Sequence, residues 1–85
     1  MTRIAKLYAH LLSSTKITVS FREFEQLIRA FGFTFDRQRG SHRTYTHPLC
    51  TRPLVVQPKK GDAAAPYQVR EFIAMIEEFQ LSLDD

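Results

Sequence analysis

The run Asp36-Arg37-Gln38-Arg39-Gly40-Ser41-His42-Arg43 sets an imidazole just beyond a glycine turn, among three arginines and with Asp36 as the only carboxylate of the segment. Imidazole is the side chain suited to exchanging a proton near neutral pH. Held among fixed cations that would receive a polyanion, it is what metal-independent RNA cleavage needs. RNA carries its own nucleophile, the 2′-hydroxyl. The protein has to take up that proton, stabilise charge on the phosphorane and help the 5′-oxygen leave. Proton transfer by a positioned side chain is worth roughly a hundred- to ten-thousandfold, and cations aimed at the developing charge contribute on the same order. His42 is the candidate for the first role; Arg39, Arg43 and Lys59 are candidates for the second. DNA lacks the 2′-hydroxyl, so this chemistry predicts RNA selectivity. A lone histidine on a hairpin is more often a surface residue than a catalyst, and the case rests on its surroundings.

Those surroundings are basic. Residues 1–35 carry a net charge of +3, residues 36–60 of +5 and residues 61–85 of −5, so the overall +3 conceals a strongly cationic middle third. A polyanion is the partner this predicts. Arg37, Arg39, Ser41, Arg43, Lys59 and Lys60 form the expected RNA-binding set, and Gly40 forms the turn. Other chemistries find no support. His10, His42 and His47 fall on different elements with no acidic neighbour, so no metal is expected. Gly32, Gly40 and Gly61 are too far apart for a phosphate-cradling loop, so no nucleotide cofactor is expected either. Cys50 is the only cysteine, which rules out an intramolecular disulfide. No apolar run reaches the length of a membrane span, and the opening residues do not read as a secretory signal. A cytoplasmic location is the expectation.

With 85 residues, 44% of them apolar and seven phenylalanines, the chain is expected to form a single domain around one core. Ile4, Leu7, Tyr8, Leu11 and Leu12 recur at helical spacing and predict an N-terminal helix over residues 1–14. Ser20 with Glu23 is a capping box, and Val19 can staple onto Phe24. Phe24, Leu27, Ile28 and Phe31 form the face of the helix that follows, which Gly32 closes. Three strands are predicted next, over about 33–37, 41–47 and 54–57, with Pro48 and Pro58 stopping the second and third. Pro66 suits the first position of a last helix, whose stripe is Val69, Phe72, Ile73, Ile76 and Phe79.

This is an α+β order in which helices cover one face of a small sheet and leave the other wet. On a regular strand His42, Thr44 and Thr46 point one way, and Arg43, Tyr45 and His47 the other. If Tyr45 packs beneath the helices, His42 lies on the open face. His47 then falls off that face and is expected to cap the turn before Pro48.

The chain resembles the HicA-type toxins, small RNA-cleaving components of bacterial toxin–antitoxin pairs, in their longer branch with an extra N-terminal helix. The resemblance is carried by Gly32-Phe33, by the segment from Asp36 to His42 with Tyr45 and His47-Pro48, and by Val56-Gln57-Pro58. It continues through Pro66-Tyr67-Gln68-Val69-Arg70 and Ile76-Glu77-Glu78-Phe79. It implies a double-stranded-RNA-binding-domain-like α-β-β-β-α fold with an additional N-terminal helix, the core spanning 19–81. It also implies a metal-independent endoribonuclease that cleaves mRNA, with its catalytic histidine at His42 and Gly40 and Ser41 in the adjoining motif positions, and a HicB-type antitoxin as partner. One departure stands out: Ala63-Ala64-Ala65 occupies a place where relatives tend to carry lysines.

Two other function classes compete. A noncatalytic RNA-binding module of the same fold would use the same basic strands for shape recognition. A protein-interaction adaptor built on the acidic C-terminal helix would leave the basic hairpin unused.

Overall fold

Six elements follow one another in the computed structural model, which describes residues 3–13 and 19–83. They are α1 (Arg3–Ser13), α2 (Phe21–Ala30), β1 (Thr34–Arg39), β2 (His42–Thr46), β3 (Leu54–Val56) and α3 (Pro66–Glu78). The fold is α+β, an α-β-β-β-α core preceded by one further helix, as expected. Met1, Thr2 and Ser14, included in the expected first helix, lie outside the described residues. No helix among the described residues is long and apolar enough to cross a membrane.

Local chemistry bounds α2 at both ends. The Ser20 hydroxyl accepts from the Glu23 N–H at 3.0 Å, while the Glu23 carboxylate accepts from the Ser20 N–H at 3.1 Å. These two bonds satisfy orphan amides that the first turn would otherwise expose. At the far end the Gly32 N–H donates to the Arg29 carbonyl at 3.0 Å and the Phe33 N–H to the Ile28 carbonyl at 3.3 Å. This is the paired closure that requires a left-handed residue, and Gly32 supplies it with φ +94°. The same device ends α3, where Gln80 takes φ +52° and the Leu81 N–H reaches the Ile76 carbonyl at 2.9 Å.

The stripes of α2 and α3 meet over the sheet. Phe24, Leu27 and Ile28 of α2 are fully buried with Val69, Phe72 and Met75 of α3, and with Tyr45, Leu54 and Val56 beneath them. Phe72 is the hub. Its ring centroid lies 5.6 Å from Phe24, 5.6 Å from Phe31 and 6.0 Å from Phe33. Burying a side chain of this size stabilises by about 3 kcal/mol, and edge-on ring pairs add to it. Helix α1 docks on the same cluster through buried Leu11 and through Tyr8, which meets the Phe31 ring edge-on at 4.8 Å.

The sheet is antiparallel in the order β1-β2-β3. Tyr45 pairs with Leu54 and Arg43 with Val56, so these four side chains share the helix-covered face. Thr44 and its partner Val55 share the other, on which Val55 is exposed. Strand β1 runs two residues further than its aromatic alternation predicts, to Arg39 instead of Arg37. The ladder continues past a bulge at Asp36, with Gln38 paired to Arg43 and Arg39 to His42.

Candidate nucleic-acid interface

The hairpin joining β1 to β2 is as tight as antiparallel strands allow. Arg39 pairs with His42, leaving Gly40 and Ser41 as a two-residue loop. Gly40 has φ +61° and Ser41 no positive φ, the type II′ pattern in which glycine takes the first position. Around the turn, the Gln38 side-chain amide donates to the Gly40 carbonyl at 2.9 Å, and the Ser41 hydroxyl donates to Gln57 Oε1 at 3.1 Å. The Gln57 N–H donates in turn to Oε1 of Gln68, a buried glutamine of α3, at 3.1 Å. Gln68 therefore accepts a backbone amide that β3 leaves unpaired where it ends. Two short segments marked in the sequence, Val56-Gln57-Pro58 and Pro66-Tyr67-Gln68-Val69, meet here, and together they brace the loop before His42.

The register of β1 on β2 decides which side chains surround His42. Phe35 pairs with Tyr45, but Arg37, not Asp36, pairs with Thr44, so Asp36 is the extra residue of a bulge. Without the bulge Arg37 would oppose Arg43 and share the helix-covered face. With it, Arg37 pairs with Thr44 and Arg39 with His42, and both guanidiniums join the open face. Asp36 and Arg37 stand on the same side as neighbours, their side chains 3.2 Å apart. Arg37, Arg39, His42 and Thr44 line one open hollow. The His42 imidazole is exposed and makes no side-chain hydrogen bond or ion pair among the described residues.

Arg43, named in the expected RNA-binding set although strand parity turns it away from His42, does stand on the opposite face. It lies on the helix side, ion-paired to Glu25 of α2, with its guanidinium carbon 5.1 Å from the centre of the Phe21 ring. Glu25 also accepts from the Tyr45 hydroxyl at 2.6 Å, and Arg29 reaches the same hydroxyl at 3.3 Å. Burial raises the Tyr45 phenol above its ordinary range, helped by the hydrogen bond to Glu25 and by its charge, and opposed by Arg29. The physical reason is strand parity. Arg43 shares a face with fully buried Tyr45, and its long stem carries the charge to the carboxylate that Tyr45 already engages.

The remaining expected residues scatter. Lys59 and Lys60 are exposed in the loop after β3. Lys59 lines a different hollow, with Ser20, Asp62 and Pro66 at the start of α2 and α3. Of the three alanines standing where lysines were noted, Ala64 and Ala65 are buried, so only Ala63 has a side chain in partial contact with water. Asp36, the one carboxylate near in sequence, engages Arg37 and does not line the His42 hollow. His47 is structural. The Leu49 N–H donates to its Nδ1 at 3.0 Å, which leaves Nε2 to donate to the Phe31 carbonyl at 3.0 Å. It thus holds the turn after β2 against the end of α2, as the expectation of a turn cap anticipated.

Two features had no signal in the sequence. Arg52, on the connector between β2 and β3, bridges Glu78 at 2.9 Å and Glu71 at 3.2 Å, two carboxylates two helical turns apart on α3. These bonds raise the Arg52 guanidinium further above its ordinary range and hold the Glu78 carboxyl below its own. Glu25 is the other, since nothing in its local sequence marks it as the partner of a strand residue 18 positions away.

A protein-family model described as HicA toxin of bacterial toxin-antitoxin matches residues 21–78, from the first residue of α2 to the last of α3. No curated protein and no solved structure matches the chain.

Proposed function

The chain belongs to the HicA toxin family, the toxins of bacterial toxin–antitoxin systems, and from that premise we propose that it is a metal-independent endoribonuclease acting on mRNA with His42 as its proton-transfer group. The observation that carries the reading is the hollow in which an unbonded imidazole stands beside Arg37, Arg39 and Thr44. A phosphodiester seated on the two guanidiniums brings its 2′-hydroxyl within reach of His42. The same cations then meet the charge that grows on the phosphorane, where preorganised positive charge counts most. Nothing in this scheme calls for a metal or a cofactor.

A toxin of this kind is held in check by a cognate antitoxin. We assign that role to a HicB-type protein that covers the open face of the sheet, because one surface then hides both the proton-transfer group and the phosphate path. The cytoplasm, where mRNA is found, is the proposed location.

The deciding experiment is His42→Ala. An exposed residue without partners contributes little to folding, so thermal stability should change by less than about 1 kcal/mol. RNA cleavage and growth arrest should both disappear. A soluble His42→Ala protein that cleaves RNA at the wild-type rate overturns the assignment. A wild-type protein that binds RNA without cleaving it identifies the noncatalytic RNA-binding module instead.

A further inference from the structure

The open face has a second hollow, lined among others by Thr46, Cys50, Thr51, Arg52 and Pro53. It adjoins the first, since Arg37 and Thr44 line both. On this reading the two follow β1 and β2 as one trough, from the hairpin to the connector before β3. We propose that the second hollow is a nucleobase subsite for a single RNA strand, taking the base of a nucleotide on one side of the bond cleaved at His42. The inference rests on the function proposed above and adds a direction and a strand state to it.

Charge separates the two ends of the trough. At the hairpin Arg39 has no carboxylate partner among the described residues, and the lining contains no carboxylate. Arg37 lines both hollows and lies 3.2 Å from Asp36, which stands in the connector lining, and the Arg52 guanidinium there is committed to Glu78 and Glu71. A phosphate therefore gains most beside Arg39 and little at the connector. The connector end offers hydroxyls instead. Thr44, Thr46 and Thr51 each donate and accept, which suits the mixed edge of a base, and Pro53 and half-buried Cys50 supply apolar surface. His47 contributes only its ring, because both its nitrogens are engaged.

Position argues the same way. Thr46 lies four residues along the strand from His42, about 13 Å, too far to touch the sugar being attacked and well placed for a neighbouring nucleotide. Beyond His42 in the opposite direction the hairpin turns and the sheet ends, so the trough extends to one side only. A base turned into a hollow must be free of its Watson–Crick partner. The trough therefore takes a single strand, not a duplex.

The test fills the hollow. Thr51 is exposed on the connector and makes no side-chain hydrogen bond among the described residues, so Thr51→Tyr adds bulk without removing a support. Binding is read by fluorescence anisotropy with a labelled hexaribonucleotide on His42→Ala protein. Thr51→Tyr in that background should weaken affinity about tenfold, the worth of one base contact, with an unchanged slope of log affinity against log salt. Thr46→Val, which keeps the side-chain shape and removes a hydroxyl, should weaken it in the same direction. Cleavage of random-sequence hexaribonucleotides by the wild type should show a base preference at one position flanking the cut, and Thr51→Tyr should flatten it.

Affinity unchanged in both variants overturns the subsite, as does a flanking preference that survives Thr51→Tyr. A loss of affinity accompanied by a shallower salt slope also overturns it, since the hollow would then hold a phosphate. If the wild type cleaves none of the hexaribonucleotides, the ribonuclease reading falls, and the binding measurements still decide the subsite on their own.

Discussion

Arg39 and Arg43 are the same residue type four positions apart, and they stand on opposite faces of one sheet. Arg39 is exposed beside His42, whereas Arg43 is half-buried and ion-paired to a Glu25 side chain that is 15% exposed. Their substitutions should therefore differ in kind. If Arg39 neutralises a phosphate as proposed, Arg39→Ala should lower the slope of log affinity against log salt by roughly 0.7, the single-strand value for one contact. Its stability should stay within about 0.5 kcal/mol of wild type. Arg43→Ala strands a largely buried carboxylate and should cost about 2 kcal/mol in denaturant unfolding while leaving the salt slope alone. A shallower slope for Arg43→Ala would return Arg43 to the RNA-facing set. The distinction is also one between side chains that act on a ligand and side chains that pin β2 to α2 from behind.

At the scale of elements, two glycines with positive φ carry different obligations. Gly40 turns the hairpin with open space around it, and a Cβ there would meet nothing within 4 Å. Gly32 closes α2, and a Cβ there would lie 3.0 Å from Nε2 of His47, the atom that bonds the Phe31 carbonyl. Gly40→Ala should cost about 1 kcal/mol for the left-handed backbone alone. Gly32→Ala should cost about 3 kcal/mol, because the backbone strain is joined by a contact that pushes His47 off its acceptor. Urea midpoints at constant m-value check both. Equal costs would mean that the junction of α2 with β2 is slack enough to absorb a methyl group. Such slack would mean that His47 does not hold the turn after β2 firmly against the end of α2.

For the whole molecule the organising quantity is the separation of charge. The acidic last third of the chain places Glu71 and Glu78 on α3, where Arg52 holds them, while buried Val69 and Phe72 fix that helix to the covered face of the sheet. Helix α3 and its carboxylates therefore pack on the covered side of the sheet, away from the face that bears His42. On the proposed reading, covering the basic face falls to the antitoxin. Cognate antitoxin and RNA should accordingly exclude one another on the His42→Ala protein. In a competition titration, added antitoxin should release labelled RNA completely. A ternary complex with undiminished RNA affinity would show that neutralisation acts away from this face.

What the sequence determined by itself was local. The capping box of Ser20 and Glu23, the closure at Gly32, the start of α3 at Pro66 and the glycine turn before His42 all depend on residues within a few positions of one another. Strand parity then put His42 opposite buried Tyr45 and away from His47. Tertiary structure decided the company His42 keeps. No local rule marks Asp36 as the residue left out of the ladder, because a bulge is settled by the pairing of two strands and by which side chains the helices can bury. That one unpaired residue moves Arg37 and Arg39 to the open face. The ion pair of Arg43 with Glu25, the bond from Gln57 to Gln68 and the bridge from Arg52 to α3 join positions 11 to 26 residues apart. Such partners are chosen by packing, which fixes the distance between side chains only after the sheet and helices have met.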